Sequence, residues 1–404
     1  MKKTIHPQGG FTLVELMVAM AVGLIVAMGV LSVVVSSGRQ YSIISANVAA
    51  QSNAQIGLSL IDLSGRNAGA GFYSNGQSIC PTWNAYNGST VVAAAAPMMP
   101  ARIVDGGSAG ASDRLVFTGG SGARALGAAP VMADAVSAAS INVSNSSGFA
   151  NGDYAVIGAP GSGQPCTLFQ VTQAPTVVAS CGGNAPECQL LVRNPTLGIN
   201  PAAAGPGTFG ITPTFGFETV GTAYGPSVVS LVGSVTDGFH QDAYAVQCQS
   251  LVRYNAFKTP ALPACAQGPL AFGAGVEALA TDVVLMHAQY GVSSAVGSDV
   301  VAQWVDASGA TWGGTPSVAD IGRIKAVRVV IVSRSREAEA TDVTAPCTST
   351  AGVVNTGPCS FEDAAAPVID LSAVAVPAGR TWRNYRYRVH AAVIPLRTVI
   401  WSDS

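Results

Sequence analysis

From Leu16 to Val35 the chain runs for 20 residues without a charge, and Ser32 is the only polar side chain in the run. That is the length a helix needs to cross a bilayer. The pattern then changes without a proline to break it. Between residues 38 and 69, Ile44, Val48, Gln51, Gln55, Leu58 and Ile61 fall near one helical face, and Ile43, Ile56, Leu60 and Leu63 widen its apolar side. A span that runs directly into an amphipathic stretch predicts one helix of about 50 residues, near 80 Å at 1.5 Å per residue. Gly23, Gly29 and Gly38 soften it, and Asn67–Gly71 is a plausible stop. A secretory signal sequence is the rival reading, but its apolar core is shorter and ends at a cleavage site of small residues.

Beyond residue 70 the pattern is of short strands between turns. The candidates are Arg102–Val104, Arg114–Thr118, Tyr154–Ile157, Cys166–Thr172, Thr176–Ala179, Gln189–Arg193, Ser227–Val235, Tyr244–Tyr254, Ile324–Ser333 and Tyr385–Ile394. Val276–Tyr290 reads as helix or strand. Ala93–Ala96 and Gly119–Ala129 read as loops. In RIKAVRVVIVSRS, Arg323, Lys325 and, further on, Arg334 stand as polar positions against Ile324, Val329 and Ile331, a pattern that reads as an alternating strand. No repeat of 20–50 residues is present.

Composition supports a β-rich, loop-rich body. Only 10% of the 404 residues are charged, against roughly 25% in ordinary soluble proteins, and there are 46 glycines and 23 prolines. The net charge of −2 gives the whole molecule no strong pull toward nucleic acid or anionic lipid. The eight cysteines, Cys80, Cys166, Cys181, Cys188, Cys248, Cys265, Cys347 and Cys359, all follow the apolar run. An even number in an exported body points to disulfides. Zinc is the alternative, but no CxxC occurs, and His6, His240, His287 and His390 stand at no ligand spacing. Short loops favour 181–188, 248–265 and 347–359, leaving Cys80 with Cys166.

The amino-terminus carries the functional signal. Lys2 and Lys3 precede the span, so the short end stays in the cytoplasm and the rest is exported. Glu15 sits at the head of the apolar run, near its cytoplasmic end, where it either reaches interfacial water or awaits a positive partner inside an assembly. The stretch GGFTLVEL, behind a short basic leader, resembles the class III leader of type IV pilins and pseudopilins. The resemblance implies that a prepilin peptidase cuts between Gly10 and Phe11 and that Phe11 is then N-methylated. It also implies that Glu15, fifth in the mature chain, pairs with the terminal amine of a neighbouring subunit during assembly. Removing residues 1–10 takes Lys+Arg from 20 to 18 against 22 acids, so the formal charge moves from −2 to −4.

The body resembles the PilW-type minor pilins. The segments that carry this are LIDLSGRNAGAGF, GDYAVIG with CTLFQVT, AQYGVSS, RIKAVRVVIVSRS and YRYRVHAAVIPLRTVIW. Gly65 and Asn67 beside Arg66 depart slightly from the family's helix junction. The implied class is α+β: a long N-terminal pilin helix, transmembrane then amphipathic, carrying a large β-rich, disulfide-containing head. The expected divisions are a leader at 1–10, the helix at 11–66 with its span at about 16–35, and an exported head at 67–404. The implied role is a minor pilin at the tip or in the initiating complex of a type IV pilus, serving adhesion or motility. It would wait in the inner membrane with a periplasmic head and finish in the fibre. Its partners would be other minor and major pilins, the prepilin peptidase and the inner-membrane assembly platform. A type II secretion pseudopilin, or an anchored adhesin or enzyme ectodomain, is the alternative.

No catalytic residue, cofactor or metal site is expected. Gly106–Gly110 fits GxSxG, but a strand-like stretch follows it where a nucleophile elbow needs a helix. Asp237, His240 and Asp242 form a polar cluster that reads as a solvated turn before it reads as a metal site, and Asp299 and Asp306 lack the EF-hand pattern. Ten of the 20 Lys+Arg lie from Arg323 onward, against seven acids. There Arg383, Arg386, Arg388 and Arg397 interleave with Tyr385, Tyr387 and Trp401. Arginine beside aromatics suits single-stranded DNA, but a solvated or interface strand face has the same pattern.

Overall fold

The computed structural model describes residues 12–74, 77–78, 82–87, 90–119, 128–132, 140–160, 165–178, 188–194, 197, 200, 227–234, 238–257, 262, 275–314 and 316–401. Its first element is a single helix, Leu13–Asn67, of 55 residues. It runs through Gly23, Gly29 and Gly38 without interruption. It stops where Ala68 turns to extended backbone and Gly69 and Gly71 adopt φ of 85° and 84°. At Gly71 the requirement is also spatial, since a Cβ there would lie 2.2 Å from the Leu231 carbonyl oxygen.

The β-rich head is built on two large sheets. The longer is a path of Val276–Thr281, Ser250–Asn255, Gly238–Gln247, Val228–Ser234, Tyr154–Gly158, Cys166–Gln170, Thr82–Asn87 and Thr90–Pro97. Arg114–Gly119 and Ala101–Val104 branch from Gly238–Gln247. Its pairs are antiparallel except Cys166–Gln170 with Thr82–Asn87. The second sheet is antiparallel, in the order Val301–Asp306, Val283–Ser293, Ile324–Arg334, Tyr387–Pro395. The helix docks against both sheets. Ile61 and Ala68 enter a core with Phe117, Tyr244 and Leu251 of the longer sheet and Val327, Val329 and Ile394 of the second.

Several expectations are corrected. Ala93–Ala96 is not a loop but part of the Thr90–Pro97 strand, held by pairing with Thr82–Asn87 despite alanine's weak β preference. Tyr244–Tyr254 is not one strand. Cys248 and Gln249 take φ of 50° and 58°, which folds it into a two-residue hairpin. Val276–Tyr290 is strand, broken at Asp282 with φ 61°. Ile324–Arg334 has no wet face: all 11 residues are buried. Val327, Val329 and Ile331 meet the helix core, while Val330 and Val332 meet Ile369, Leu371, Tyr385 and Tyr387. The C-terminal loops cover the side that carries Arg328, Val330, Val332 and Arg334.

The helix face is corrected too. Among the described residues, Ala54, Gly57, Ile61, Gly65 and, at the C-cap, Ala68 are buried, a stripe of small residues around one large one; Ile61 was on the expected face, as was Leu58, which is partly buried beside it. Ile44, Ile56 and Leu63 are exposed. A Cβ on Gly57 would lie 2.5 Å from Leu251 Cδ2, and one on Gly65 2.5 Å from Ile394 Cγ2 and 3.1 Å from Phe117. At Gly65 the helix and sheets therefore meet at a distance that favours glycine, since Ile394 and the Phe117 ring both crowd the position, while at Gly57 only the end of the Leu251 side chain would have to move.

Gly65→Leu is expected to destabilise the protein by about 2 kcal/mol or more, through overpacking that outweighs the helix-propensity gain. Thermal unfolding of the purified full chain checks this. A raised melting temperature would mean the interface relaxes freely.

Candidate assembly helix and the sites on the head

Gly10 and Phe11 lie outside the described residues. The structure begins at Thr12, which caps the helix reciprocally with Glu15. The Glu15 N–H donates to Thr12 Oγ1 at 3.3 Å, and the Thr12 N–H and hydroxyl donate to Glu15 Oε2 at 3.0 and 2.9 Å. The carboxylate thus sits at the positive end of the helix dipole. It meets no basic side chain among the described residues.

Every residue from Thr12 to Gly38 is exposed. The Leu13–Gly38 stretch has a mean hydropathy of 2.7, and none of its most apolar window is buried. A soluble protein would hide such a surface, which far exceeds ordinary exposed patches. Ser32 donates to the Gly29 carbonyl at 2.8 Å, so its one hydroxyl needs no water.

The other half of the helix is held by polar as well as apolar contacts. The Tyr244 hydroxyl donates to the Leu60 carbonyl at 3.1 Å. The Ser64 hydroxyl lies 2.8 Å from Tyr244 Oη and 3.2 Å from Asp242 Oδ2. Burial pushes the Tyr244 hydroxyl up to about 12, so it stays a donor. Asp242 was grouped with Asp237 and His240 as a polar cluster. Asp237 lies outside the described residues, His240 Nδ1 is 4.0 Å from Asp242 Oδ1, and the carboxylate serves helix docking. Among the described residues, no three His, Cys, Asp or Glu are placed to hold a metal ion. Asp299 lies 3.7 Å from the buried Lys325 ammonium, and Asp306 accepts from Gln289.

The GxSxG stretch lines a cavity of ≈ 260 Å³ with Asp113, His287 and Asp306. Asp113 ties the loop down: Oδ1 accepts from the Gly106 N–H at 3.0 Å and Oδ2 from the Ala288 N–H at 2.8 Å. His287 Nδ1 lies 3.4 Å from Asp113 Oδ2, and Nε2 lies 3.0 Å from the Ala109 carbonyl. Both ring nitrogens are thus engaged, and Nε2 is not directed to the Ser108 hydroxyl. Burial pulls the His287 pKa down, but the Asp113 hydrogen bond and charge outweigh it and the pKa is raised. A strand, Arg114–Gly119, follows the loop.

The late arginines divide by depth. Arg328 is 2% exposed. It makes two bonds to the Asp363 carboxylate, at 2.6 and 3.1 Å, and stacks between Trp304 and Phe361. Arg334 reaches the Ala375 carbonyl at 2.9 Å and lies over Tyr385. These two hold the C-terminal loops onto the sheet. Arg386 and Arg388 are exposed while Tyr385 and Tyr387 are buried, as alternation along an extended chain places them. Arg386 pairs with Glu339 at 3.1 Å. Cys347 and Cys359 form a disulfide, the pairing the short loop favoured. Cys166 and Cys248 are each engaged in a disulfide. The expected pairings of Cys80, Cys181 and Cys265 fall outside the described residues.

Sequence reasoning missed the small-residue docking stripe, Tyr244 and the Asp113–His287 pair. Gly57 and Gly65, eight apart on a helix, were a usable signal. Asp113 and His287 are 174 residues apart and had none.

Two family models match the chain. Residues 5–31 match the prokaryotic N-terminal methylation motif, and residues 251–398 match type IV pilus-assembly protein W. No curated protein and no solved structure matches it.

Two outcomes are expected. Tyr244→Phe should cost about 1 kcal/mol of stability, the usual net value of one hydrogen bond; an unchanged denaturation midpoint would remove the hydroxyl from the clamp. The raised His287 pKa makes its contribution complete below the unfolded value of about 6.5 and lost as pH rises through the folded one. The gap in melting temperature between wild type and His287→Gln should therefore narrow from pH 6 to pH 9. A gap that widens would reverse the assignment.

Proposed function

Starting from a PilW-type minor pilin involved in type IV pilus assembly, which the two matched segments support, we propose how this chain is processed and assembled. Residues 1–10 are a leader cut between Gly10 and Phe11, Phe11 is N-methylated, residues 11–66 are the assembly helix, and 67–404 are the exported head. Before assembly the helix holds the protein in the inner membrane, spanning at about 16–35, with the head in the periplasm. It is then drawn into a fibre among other pilins by way of the assembly platform.

The observation that carries this reading is the division of one helix into a bare half and a docked half. Leu13–Gly38 is apolar and touches no part of the head, while Ala54, Ile61 and Ala68 are buried in it. Ile44, Ile56 and Leu63 stay exposed on the docked half, away from the head. They give neighbouring helices an apolar surface beyond the membrane. Glu15 is free of any basic partner among the described residues, which leaves it open to a neighbour's terminal amine. The large head favours a rare subunit at the tip or in the initiating complex over one that tiles the shaft.

The mass of the N-terminal peptide, measured with and without prepilin peptidase, is the direct test. A methylated Phe11 terminus is expected only when the peptidase is present. A chain still starting at Met1 in its presence would make the helix a plain anchor. Glu15→Leu should leave the protein stable in the membrane and reduce pilus number. Normal piliation in that variant would remove Glu15 from assembly.

A further inference from the structure

We propose that the cavity beside the Trp382 turn binds an acidic saccharide, with Arg380 and Arg383 taking its carboxylate. This site lies on the head and does not rest on the assembly reading. The cavity measures ≈ 480 Å³ and combines three kinds of wall. Val374, Val376 and Trp382 make an apolar side that rests on the core around Ile369, Leu371 and Tyr385. Arg380 and Arg383 supply positive charge. Asp342, Ser372 and Thr381 supply an acceptor and two hydroxyls.

The wall is built before any ligand arrives. The Arg383 carbonyl accepts from the Val343 and Thr344 N–H groups at 2.8 and 3.1 Å. The Asn384 carbonyl accepts from the Glu339 N–H at 2.7 Å, and Asn384 Oδ1 accepts from the Thr381 N–H at 2.9 Å. A turn fixed at four points costs little ordering on binding. Arg383 is stationed at the rim over the Trp382 ring, 5.3 Å from its centroid. Its contact with Asp342 is long, 3.8 Å, and about half exposed on both sides, so it is a weak pair. Arg380 uses one nitrogen on the Glu339 carbonyl at 3.0 Å. Each guanidinium has five N–H donors, and these bonds leave most of them for a ligand.

A sugar presents this mixture of demands. Its C–H face suits valine and the edge of an indole, and its hydroxyls both donate and accept. A uronic-type carboxylate meets the arginine fork. A nucleic-acid backbone fits less well. Asp342 lines the same cavity, and the next cation along the chain, Arg386, is already paired with Glu339. A chain of phosphates would meet Asp342 inside the cavity and Glu339 beside Arg386.

The experiment is isothermal titration of the full chain in detergent with trigalacturonate, and separately with neutral galactotriose and a ten-residue oligothymidylate. Trigalacturonate should bind, and galactotriose about tenfold or more weaker. Arg383→Gln and Arg380→Gln should each weaken the acidic sugar about tenfold, as loss of a charge-assisted bond does. Val376→Trp should fill the cavity and remove binding. If Arg383→Gln lowers the melting temperature, Arg380→Gln and Val376→Trp decide. No binding of trigalacturonate, equal binding of the neutral sugar, or indifference to these substitutions would overturn the proposal. Tighter binding of the oligothymidylate, lost in the same variants, would overturn it in favour of nucleic acid.

Discussion

The close approach of one helix to two sheets is the constraint on which the head depends. Gly57 and Gly65 bring the helix backbone close to the Leu251 and Ile394 methyl groups, with least room at Gly65, where the Phe117 ring also crowds the position. Because the backbone comes so near, Ile61 can enter the interior and share a core with both sheets. The glycines cost helix stability, by about 1 kcal/mol each relative to alanine. Burial of the residues around them offsets that cost. Tyr244 and Ser64 then fix the rotation of the helix about its axis, since hydrogen bonds have direction and apolar contacts have little.

That arrangement separates the two jobs of the helix. Up to Gly38 its side chains have no protein to pack against, and their favourable surroundings must be lipid or other helices. From Ala54 onward it is the central element of a folded head. A continuous helix connects the two, so the bare half and the head are joined without a break in the helical backbone.

The head's second sheet depends on two arginines that would ordinarily face water. Arg328 and Arg334 lie on a strand covered on both sides. Each hands its guanidinium to loop groups: Asp363 and Ala365 for one, Ala375 for the other. Burying a charge in this way is tolerable only with full pairing. The loops they hold carry the Cys347–Cys359 disulfide and lead to the cavity at Trp382. The surface of the head is therefore set partly by charges inside it.

The long helix was legible because membrane length, absence of charge and lack of proline are properties of consecutive residues. So was the GGFTLVEL signal, a run of consecutive residues that is legible as a motif without any fold. Strands with branched residues, such as Tyr154–Gly158 and Ile324–Arg334, were also visible. Tertiary structure decided what has no local cause. Alanines at 93–96 became strand because a neighbour offered hydrogen bonds. The 244–254 stretch folded at Cys248 and Gln249, residues that announce no turn. The helix buried its smallest side chains and left Ile56 and Leu63 outside, because closeness to the sheets outweighed side-chain size. Asp113 and His287, and the walls of the Trp382 cavity, met only through the fold. Sequence determined the long apolar helix and the methylation-motif signal at its start, since those depend on neighbours along the chain. The fold alone decided which faces are covered and which side chains converge, since those depend on neighbours in space.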